Sequence, residues 1–143
     1  SGSWDNTVKV WNLETGEEQF TLSDHGSYVK AVAVTADGKR VISGSDDNTV
    51  KVWNLATGEE QFTLSDHGNY VKAVAVTADG KRVISKSWDN TVKVWNLETG
   101  EEPFTLSGHS SLVQAVAVTA DGKRVISGSL DNSVDNTVKV WNL

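Results

Sequence analysis

Residues 25–64 read HGSYVKAVAVTADGKRVISGSDDNTVKVWNLATGEEQFTL, and this stretch decides the fold. It contains four short segments rich in apolar and β-branched residues, at 29–34, 40–45, 49–55 and 60–64. Turn-forming residues separate these segments, as in the ADGK sequence that follows the first one. Gly38 stands where a hairpin turn needs a positive φ, so consecutive segments are expected to pair antiparallel. The stretch predicts a four-stranded antiparallel meander, and no segment has a helical period.

The first and last segments differ in polarity. Segment 29–34 is almost wholly apolar, which predicts a strand covered on both faces. Segment 60–64 is the most polar, so we expect it at the outer edge of the sheet. Pro103 replaces Gln61 in a later copy, and this fits an exposed edge, where a missing N–H matters least.

The unit repeats along the chain. Residues 5–46 match residues 47–88 at 38 of 42 positions, and residues 89–130 match 47–88 at 33 of 42. The phrase DNSV at 131–134 then precedes DNTV at 135–138, as an insertion of four residues. A period of this size predicts a repeat architecture, because independent units so small rarely fold alone. We expect residues 1–143 to form a single repeat array.

The composition excludes several classes of function. The net charge of −6 argues against nucleic acid or an anionic membrane as the main partner. The absence of cysteine excludes a disulfide framework, a thiol nucleophile and a thiolate zinc site. No apolar run is long enough to span a membrane and no signal segment opens the chain, so a soluble, cytoplasmic setting is the default expectation. Methionine is also absent, which favours a fragment, a processed product or a designed chain.

One histidine, one serine, one aspartate and one tryptophan return at fixed positions of each unit. Together with the four-stranded unit, this pattern resembles the WD-repeat β-propeller family over the whole chain. The resemblance implies that these four side chains form one buried hydrogen-bonded chain in each blade, the structural tetrad. The members it implies are His25, Ser43, Asp47 and Trp53; His67, Ser85, Asp89 and Trp95; His109, Ser127 and Trp141 with either Asp131 or Asp135; and Asp5 and Trp11 in a blade whose first strands are missing.

The motifs depart from the family pattern in two ways. The family's Gly-His pair occurs only at 108–109, because aspartate precedes both His25 and His67. The family's Trp-Asp pair is Trp-Asn here, as at 53–54, whereas the literal Trp-Asp pairs at 4–5 and 88–89 lie in a turn one strand earlier. The near-identity of the copies is similar to recently amplified bacterial propellers or to designed ones.

Catalysis and metal binding have weak support in the sequence. A catalytic triad occurs once in a fold, whereas the His, Ser and Asp recur, and each Ser lies within a strand without a nucleophile elbow. Calcium loops need several converging oxygen ligands, but Asp37 is followed by Lys39 and Arg40. Asp46 is better placed beside Asp47, yet the resemblance gives Asp47 a tetrad role. We therefore expect no enzyme activity, no metal and no cofactor.

The copies differ most in the turns before the first strand and after the second. The family resemblance places these turns on one face around a central channel, where tryptophan and tyrosine are suited to anchor a protein or peptide partner. The alternative is that change has accumulated at permissive positions. The candidate partner-binding residues are Trp4, Tyr28, Tyr70, Lys86, Trp88, Leu112 and Leu130.

The strand count predicts how the chain would be completed. We expect a partial blade at 1–24 (third and fourth strands), blades at 25–66 and 67–108, and a partial blade at 109–143 (first to third strands). Three blades cannot close a circle, and a lone chain would expose strand edges and apolar faces.

Assembly of identical chains solves this problem, with each chain completing a blade of the next to close a ring. We favour a trimer, with a dimer as the next choice, and self-assembly as the function; a protein- or peptide-binding scaffold is the alternative. One third strand is surplus, because residues 4–13 and 135–143 suit the same slot. The insertion at 131–134 suggests that the last strand adopts another register.

Overall fold

The computed structural model describes residues 2–102, 104–130 and 136–143, and all the regular structure in these ranges is β. Thirteen strands follow one another along the chain. They are β1 (Val8–Trp11), β2 (Glu18–Leu22), β3 (Val29–Val34), β4 (Arg40–Ser45), β5 (Val50–Asn54), β6 (Glu60–Leu64), β7 (Val71–Val76), β8 (Arg82–Ser87), β9 (Val92–Asn96), β10 (Phe104–Leu106), β11 (Val113–Val118), β12 (Arg124–Ser129) and β13 (Val138–Asn142).

The strands form four antiparallel sheets, each a meander of neighbours in the chain. We call them the head sheet (β1–β2), the second sheet (β3–β6), the third sheet (β7–β10) and the tail sheet (β11–β13). The prediction of an all-β chain built from four-stranded antiparallel meanders is confirmed by the second and third sheets. The polar last strand, β6 or β10, lies at the edge of its sheet.

Local backbone conformation and side-chain hydrogen bonds determine the turns between strands. Gly38 has a φ of +68°, a conformation in which glycine avoids the steric cost of a side chain. The Asp37 carboxylate accepts hydrogen bonds from Lys39 N at 3.0 Å and Thr35 Oγ1 at 2.6 Å, which holds the β3–β4 hairpin closed.

The core lies between successive sheets. Ile42 and Val52 of the second sheet pack in one buried cluster with Val71, Val83 and Trp95 of the third sheet. Each second strand is the most buried strand of its sheet, since β4 and β8 are covered on both faces. Burial between sheets therefore supplies the apolar core that no single unit has.

The first strands are less covered than the sequence predicts. In β3, Val32 and Val34 are exposed, and β11 is also largely exposed. In β7, by contrast, every residue is buried or half-buried. A first strand is fully covered only when a first strand of another sheet lies on each side of it. Among the described residues only β7 meets this condition, because it lies between β3 and β11. The expectation of strands covered on both faces is therefore wrong for β3 and β11.

The prediction of another register for the last strand is also wrong. Ser127 stands opposite Lys139, and Val125 stands opposite Trp141. The equivalent pairs in the second sheet have the same register, with Trp53 opposite Val41. The apolar alternation of β13 matches that of β5, so the same register buries the same side chains. The insertion at 131–134, Pro103, and both Asp131 and Asp135 lie outside the described residues.

Candidate functional site

Three buried side chains and the half-buried Asp47 form one hydrogen-bonded chain in the second sheet. His25 Nδ1 lies 2.8 Å from the Asp47 carboxylate, and His25 Nε2 lies 2.7 Å from Ser43 Oγ. Trp53 Nε1 donates to the same Ser43 Oγ at 2.8 Å. A histidine protonated on Nδ1 satisfies every group, because the indole N–H donates to Ser43 Oγ and the Ser43 hydroxyl then donates its own hydrogen bond to Nε2.

The same arrangement recurs in the third sheet and in part elsewhere. His67 lies 2.8 Å from Asp89 and 2.7 Å from Ser85, and Trp95 Nε1 donates to Ser85 at 2.7 Å. In the tail sheet, the distances to Ser127 Oγ are 2.8 Å from His109 Nε2 and 2.7 Å from Trp141 Nε1.

The head sheet has a different environment for its equivalent residues. Asp5 accepts hydrogen bonds from Thr7 N at 3.0 Å and Thr7 Oγ1 at 2.7 Å. Trp11 is 46% exposed, whereas Trp53 is 2% exposed. No hydrogen bond from Trp11 Nε1 is found within the described part of the chain. These side chains are therefore not drawn together as they are in the second sheet.

Hydrogen bonding keeps Asp47 and Asp89 ionised. Burial acts to raise the pKa of Asp47, but hydrogen bonds from His25, Thr49 and Gly26 outweigh it and hold this pKa well below its usual range. The pKa of Asp89 is lowered in the same way by His67 and Thr91. A stable carboxylate that accepts several hydrogen bonds anchors the turn after the second strand.

The serines of these chains are inaccessible as nucleophiles. Ser43, Ser85 and Ser127 are fully buried, and each Oγ already contacts a histidine and a tryptophan. A substrate carbonyl has no approach to such an oxygen. The geometry supports a structural role for these side chains, which fix the turns between strands.

A second set of side chains lies on the surface, at positions where the copies differ. The rings of Trp4 and Tyr28 stack with centroids 5.7 Å apart and planes at 21°. Lys30 Nζ lies 5.0 Å from both ring centroids. Both rings are exposed. Trp4 precedes β1 in the chain, and Tyr28 directly precedes β3.

Tyr70 and Trp88 form a second pair of the same kind. Their centroids are 5.6 Å apart, and Trp88 N donates to Tyr70 O at 3.1 Å, which brings the two turns together. Lys72 Nζ lies 4.8 Å from the Tyr70 ring and 4.2 Å from the Trp88 ring. The cation is therefore held against two aromatic faces.

Asp46 joins the two pairs into one surface. Its carboxylate lies 2.5 Å from Lys72 Nζ and 3.6 Å from Lys30 Nζ. We call the surface formed by Trp4, Tyr28, Tyr70 and Trp88, together with Lys30, Lys72 and Asp46, the aromatic face. Sequence reasoning did not select the two lysines and Asp46 as site residues, although the copies differ at each of these positions and that difference was the available signal.

The remaining candidate partner-binding residues lie in different surroundings. Leu130 is exposed and Leu112 is half-buried, and Leu112 O accepts a hydrogen bond from Ser129 Oγ at 3.0 Å. Lys86 is only 7% exposed, and its Nζ donates to Val113 O at 2.9 Å. Lys86 therefore fills the contact between the third and tail sheets, and its selection as a surface residue does not fit the structure.

The described residues contain neither a cluster of metal ligands nor a membrane-spanning helix. No three histidine, aspartate or glutamate side chains in those ranges converge as a metal site would require. The same ranges contain no helix that could cross a membrane.

Comparison with known proteins identifies relatives over short segments. One match is the protein "Small ribosomal subunit protein RACK1y" of Oryza sativa subsp. japonica, 55% identical over 38 residues, which is 27% of this chain and 11% of that protein. Another is "Lissencephaly-1 homolog" of Caenorhabditis briggsae, 46% identical over 43 residues, which is 30% of this chain and 11% of that protein. The matched segments thus span about a tenth of the length of each relative.

The family comparison covers nearly the whole chain. The model of the WD40 family, described as "WD domain, G-beta repeat", matches four times, at residues 1–12, 16–54, 58–96 and 100–142. These matches include all four sheets and every residue of the aromatic face. The chain therefore belongs to the WD40 repeat family.

Proposed function

We propose that this chain is a protein- or peptide-binding scaffold and that its partner docks on the aromatic face. The observation that carries the proposal is the exposed pairing of Tyr70 with Trp88 around Lys72. Large aromatic side chains dominate the energetics of protein interfaces. Proteins of the WD40 family generally bind other proteins and act as scaffolds without catalysis.

The contacts within the aromatic face hold its side chains in place before a partner binds. Lys72 is held by Asp46 and by two rings, so its position is set before a partner arrives. Side chains that are already ordered lose less conformational entropy on binding. The face can therefore offer two rigid aromatic anchors at little cost.

A displayed library of random peptides, selected on the wild-type chain, tests this function. Peptides that bind should lose at least about tenfold in affinity for Trp88→Ala, since truncation of an aromatic anchor costs about 2 kcal/mol or more. Phe104→Ala is the matched control, because Phe104 is 43% exposed and Trp88 is 42% exposed. Equal binding to both variants, or no enrichment of any peptide, would overturn the proposal.

Self-assembly is the second candidate, and the tail sheet supports it. Val138 and Val140 are 71% and 62% exposed, whereas Val50 and Val52 at the same repeat positions are 0% exposed. Exposed apolar faces of this kind are characteristic of interfaces. In this proposal, units 1–24, 25–66, 67–108 and 109–143 are whole or partial blades, and a trimer is preferred to a dimer.

Light scattering behind a sizing column tests self-assembly directly. One chain has a mass of 15.4 kDa. A sharp species of three chain masses supports a trimeric ring, and two chain masses support the dimer. A monomer at all accessible concentrations overturns self-assembly and leaves peptide binding untouched.

A further inference from the structure

The strand β1 of the head sheet makes few contacts, and the tail sheet of a second copy could make the same ones. β1 pairs with β2, and within the described residues its opposite edge meets only Gly2. A cavity opens beside that edge. Its lining includes Val8, Val10 and Trp11 on one side and Val32, Val34 and Leu55 on the other.

Apolar side chains of both sheets fill the contact between the second and third sheets. Between the second and third sheets, buried Ile42 of β4 lies in the cluster that includes Val50 and Leu64. The contact between the head and second sheets has equivalents of the latter two, namely Val8 and Leu22. It has no equivalent of Ile42 among the described residues, because the head sheet lacks a second strand.

The tail sheet carries the missing features. Ile126 of β12 occupies the repeat position of Ile42, yet it is only half-buried. A Cβ added at Gly128 would meet no atom within 4 Å, whereas at Gly44 it would lie 2.7 Å from Val71. Gly2 approaches Val29 in the same way, at 2.8 Å. The tail sheet therefore has an apolar face that matches the surface on which residues 2–13 now lie.

The outer edge of the tail sheet is also incomplete. Lys51 pairs with Glu60 at 2.5 Å and contacts Thr63 at 2.8 Å, and both partners belong to the fourth strand β6. Lys139 has the same place in β13, but the tail sheet has no fourth strand among the described residues. The equivalents of Glu60 and Thr63 in β2 are Glu18 and Thr21.

Of the two segments that suit the same slot, residues 2–13 have fewer contacts to lose. β13 pairs with β12 along its whole length, and Trp141 already donates to Ser127. β1 has only β2 as a paired strand in the described head sheet, and Trp11 is exposed. Moreover, Val138 and Gly128 of a second copy can replace Val8 and Gly2 one for one.

We propose that residues 2–13 fill, in the single chain, a position that the tail sheet of a second copy takes over on assembly. We call residues 2–13 the plug. In a pair of chains, β13 of one copy takes the place of β1 and pairs with β2 of the other copy. β11, β12, β13 and the second copy's β2 then form one four-stranded sheet, which packs on the second sheet of the copy that donated β2. This inference rests on self-assembly, the second candidate function, and it specifies the strand that leaves.

Engineered disulfides distinguish the two arrangements, since the chain has no cysteine of its own. Lys9 stands opposite Thr21, and Lys9 Nζ donates to Thr21 Oγ1 at 3.2 Å, so cysteines at these positions face each other. The double variant Lys9→Cys with Thr21→Cys locks the plug within its own chain. The double variant Lys139→Cys with Thr21→Cys captures β13 of one copy on β2 of another. Thr21→Cys alone measures adventitious crosslinking.

We expect oxidised Lys139→Cys with Thr21→Cys to give chains crosslinked to one another in far higher yield than Thr21→Cys alone. Oxidised Lys9→Cys with Thr21→Cys should have one chain mass by light scattering and should recover the wild-type mass after reduction. Circular dichroism of the locked variant checks that its β-structure is retained. A wild-type oligomer whose mass is unchanged by the lock overturns the plug and leaves self-assembly standing, whereas a wild-type monomer overturns both.

Discussion

Lys86 donates a hydrogen bond to Val113 O at 2.9 Å, at the repeat position where the second sheet has Gly44. At Gly44 an added Cβ would lie 2.7 Å from Val71, so the second and third sheets approach too closely for a side chain. The next contact, between the third and tail sheets, contains a buried cation instead. Two equivalent contacts between neighbouring sheets are therefore filled differently, one by a close approach at Gly44 and the other by the buried Lys86 side chain.

The buried cation predicts a pH dependence of stability. Burial, with a smaller contribution from the charge of Lys72, lowers the pKa of Lys86 below its ordinary value of 10.5. The unfolded chain therefore keeps this proton at pH values where the folded chain has lost it. As the pH rises towards 10.5, the wild type should gain stability relative to Lys86→Met, by at most about 1.4 kcal/mol per pH unit. Urea unfolding of both proteins between pH 7 and 10 measures this difference, and parallel profiles would contradict it.

The glycine contact predicts a contrast between two equivalent substitutions. Gly44→Ala forces its Cβ against Val71 and should cost about 1–3 kcal/mol of unfolding free energy, as overpacking of a core does. Gly128→Ala adds a Cβ with no atom within 4 Å and should be nearly neutral in the monomer. Urea unfolding at low protein concentration compares the two variants. Equal losses would show that strand propensity, rather than the approach of Val71, determines the cost.

The four-stranded unit could be predicted because its sequence pattern is repeated along the chain. Turn residues such as Gly38 separate segments with strand composition, and the near-identical copies exclude a chance pattern. The position of the polar fourth strand followed from its composition. His25, Ser43 and Trp53 are far apart in the sequence, so their hydrogen bonds could be anticipated only through the family resemblance.

What the sequence could not predict depends on neighbours in space. Val32 and Val74 have the same sequence context, yet Val32 is exposed and Val74 packs against the core. The difference arises because β7 lies between two other first strands, β3 and β11, whereas the described head sheet has no first strand to cover β3. Lys86 resembled a surface substitution in the sequence, but its aliphatic stem and one carbonyl acceptor allow it to be buried.

Trp53 should contribute far more to stability than Trp11. Trp53 is buried and donates to Ser43, so Trp53→Ala should cost about 3–5 kcal/mol through the cavity it leaves. Trp11 is half exposed, and in the monomer Trp11→Ala should cost less than about half of that amount. Thermal and urea unfolding followed by circular dichroism measure both changes. An unchanged unfolding curve for Trp53→Ala would show that this indole is not buried in solution.

The carboxylate that anchors the third sheet predicts sensitivity to acid. Burial opposes ionisation of Asp89, but hydrogen bonds from His67 and Thr91 prevail and hold its pKa below the ordinary value of 3.8. The stability that comes from ionised Asp89 is fully present above that value and is lost as the pH falls below it. Asp89→Asn should cost about 1–3 kcal/mol between pH 5 and 8, because hydrogen bonds to a charged group are lost.

The difference between the wild type and Asp89→Asn should shrink as the pH falls below about 4, because the unfolded wild type then takes up a proton on Asp89 that the folded chain does not bind. Asp66→Asn is the matched control, because Asp66 is exposed in the turn just before His67. Urea midpoints of the three proteins from pH 3 to 8 provide the comparison. A gap that stays constant down to pH 3 would mean that the charge of Asp89 does not stabilise the sheet, whereas convergence of the two curves assigns the acid sensitivity to this hydrogen-bonded carboxylate.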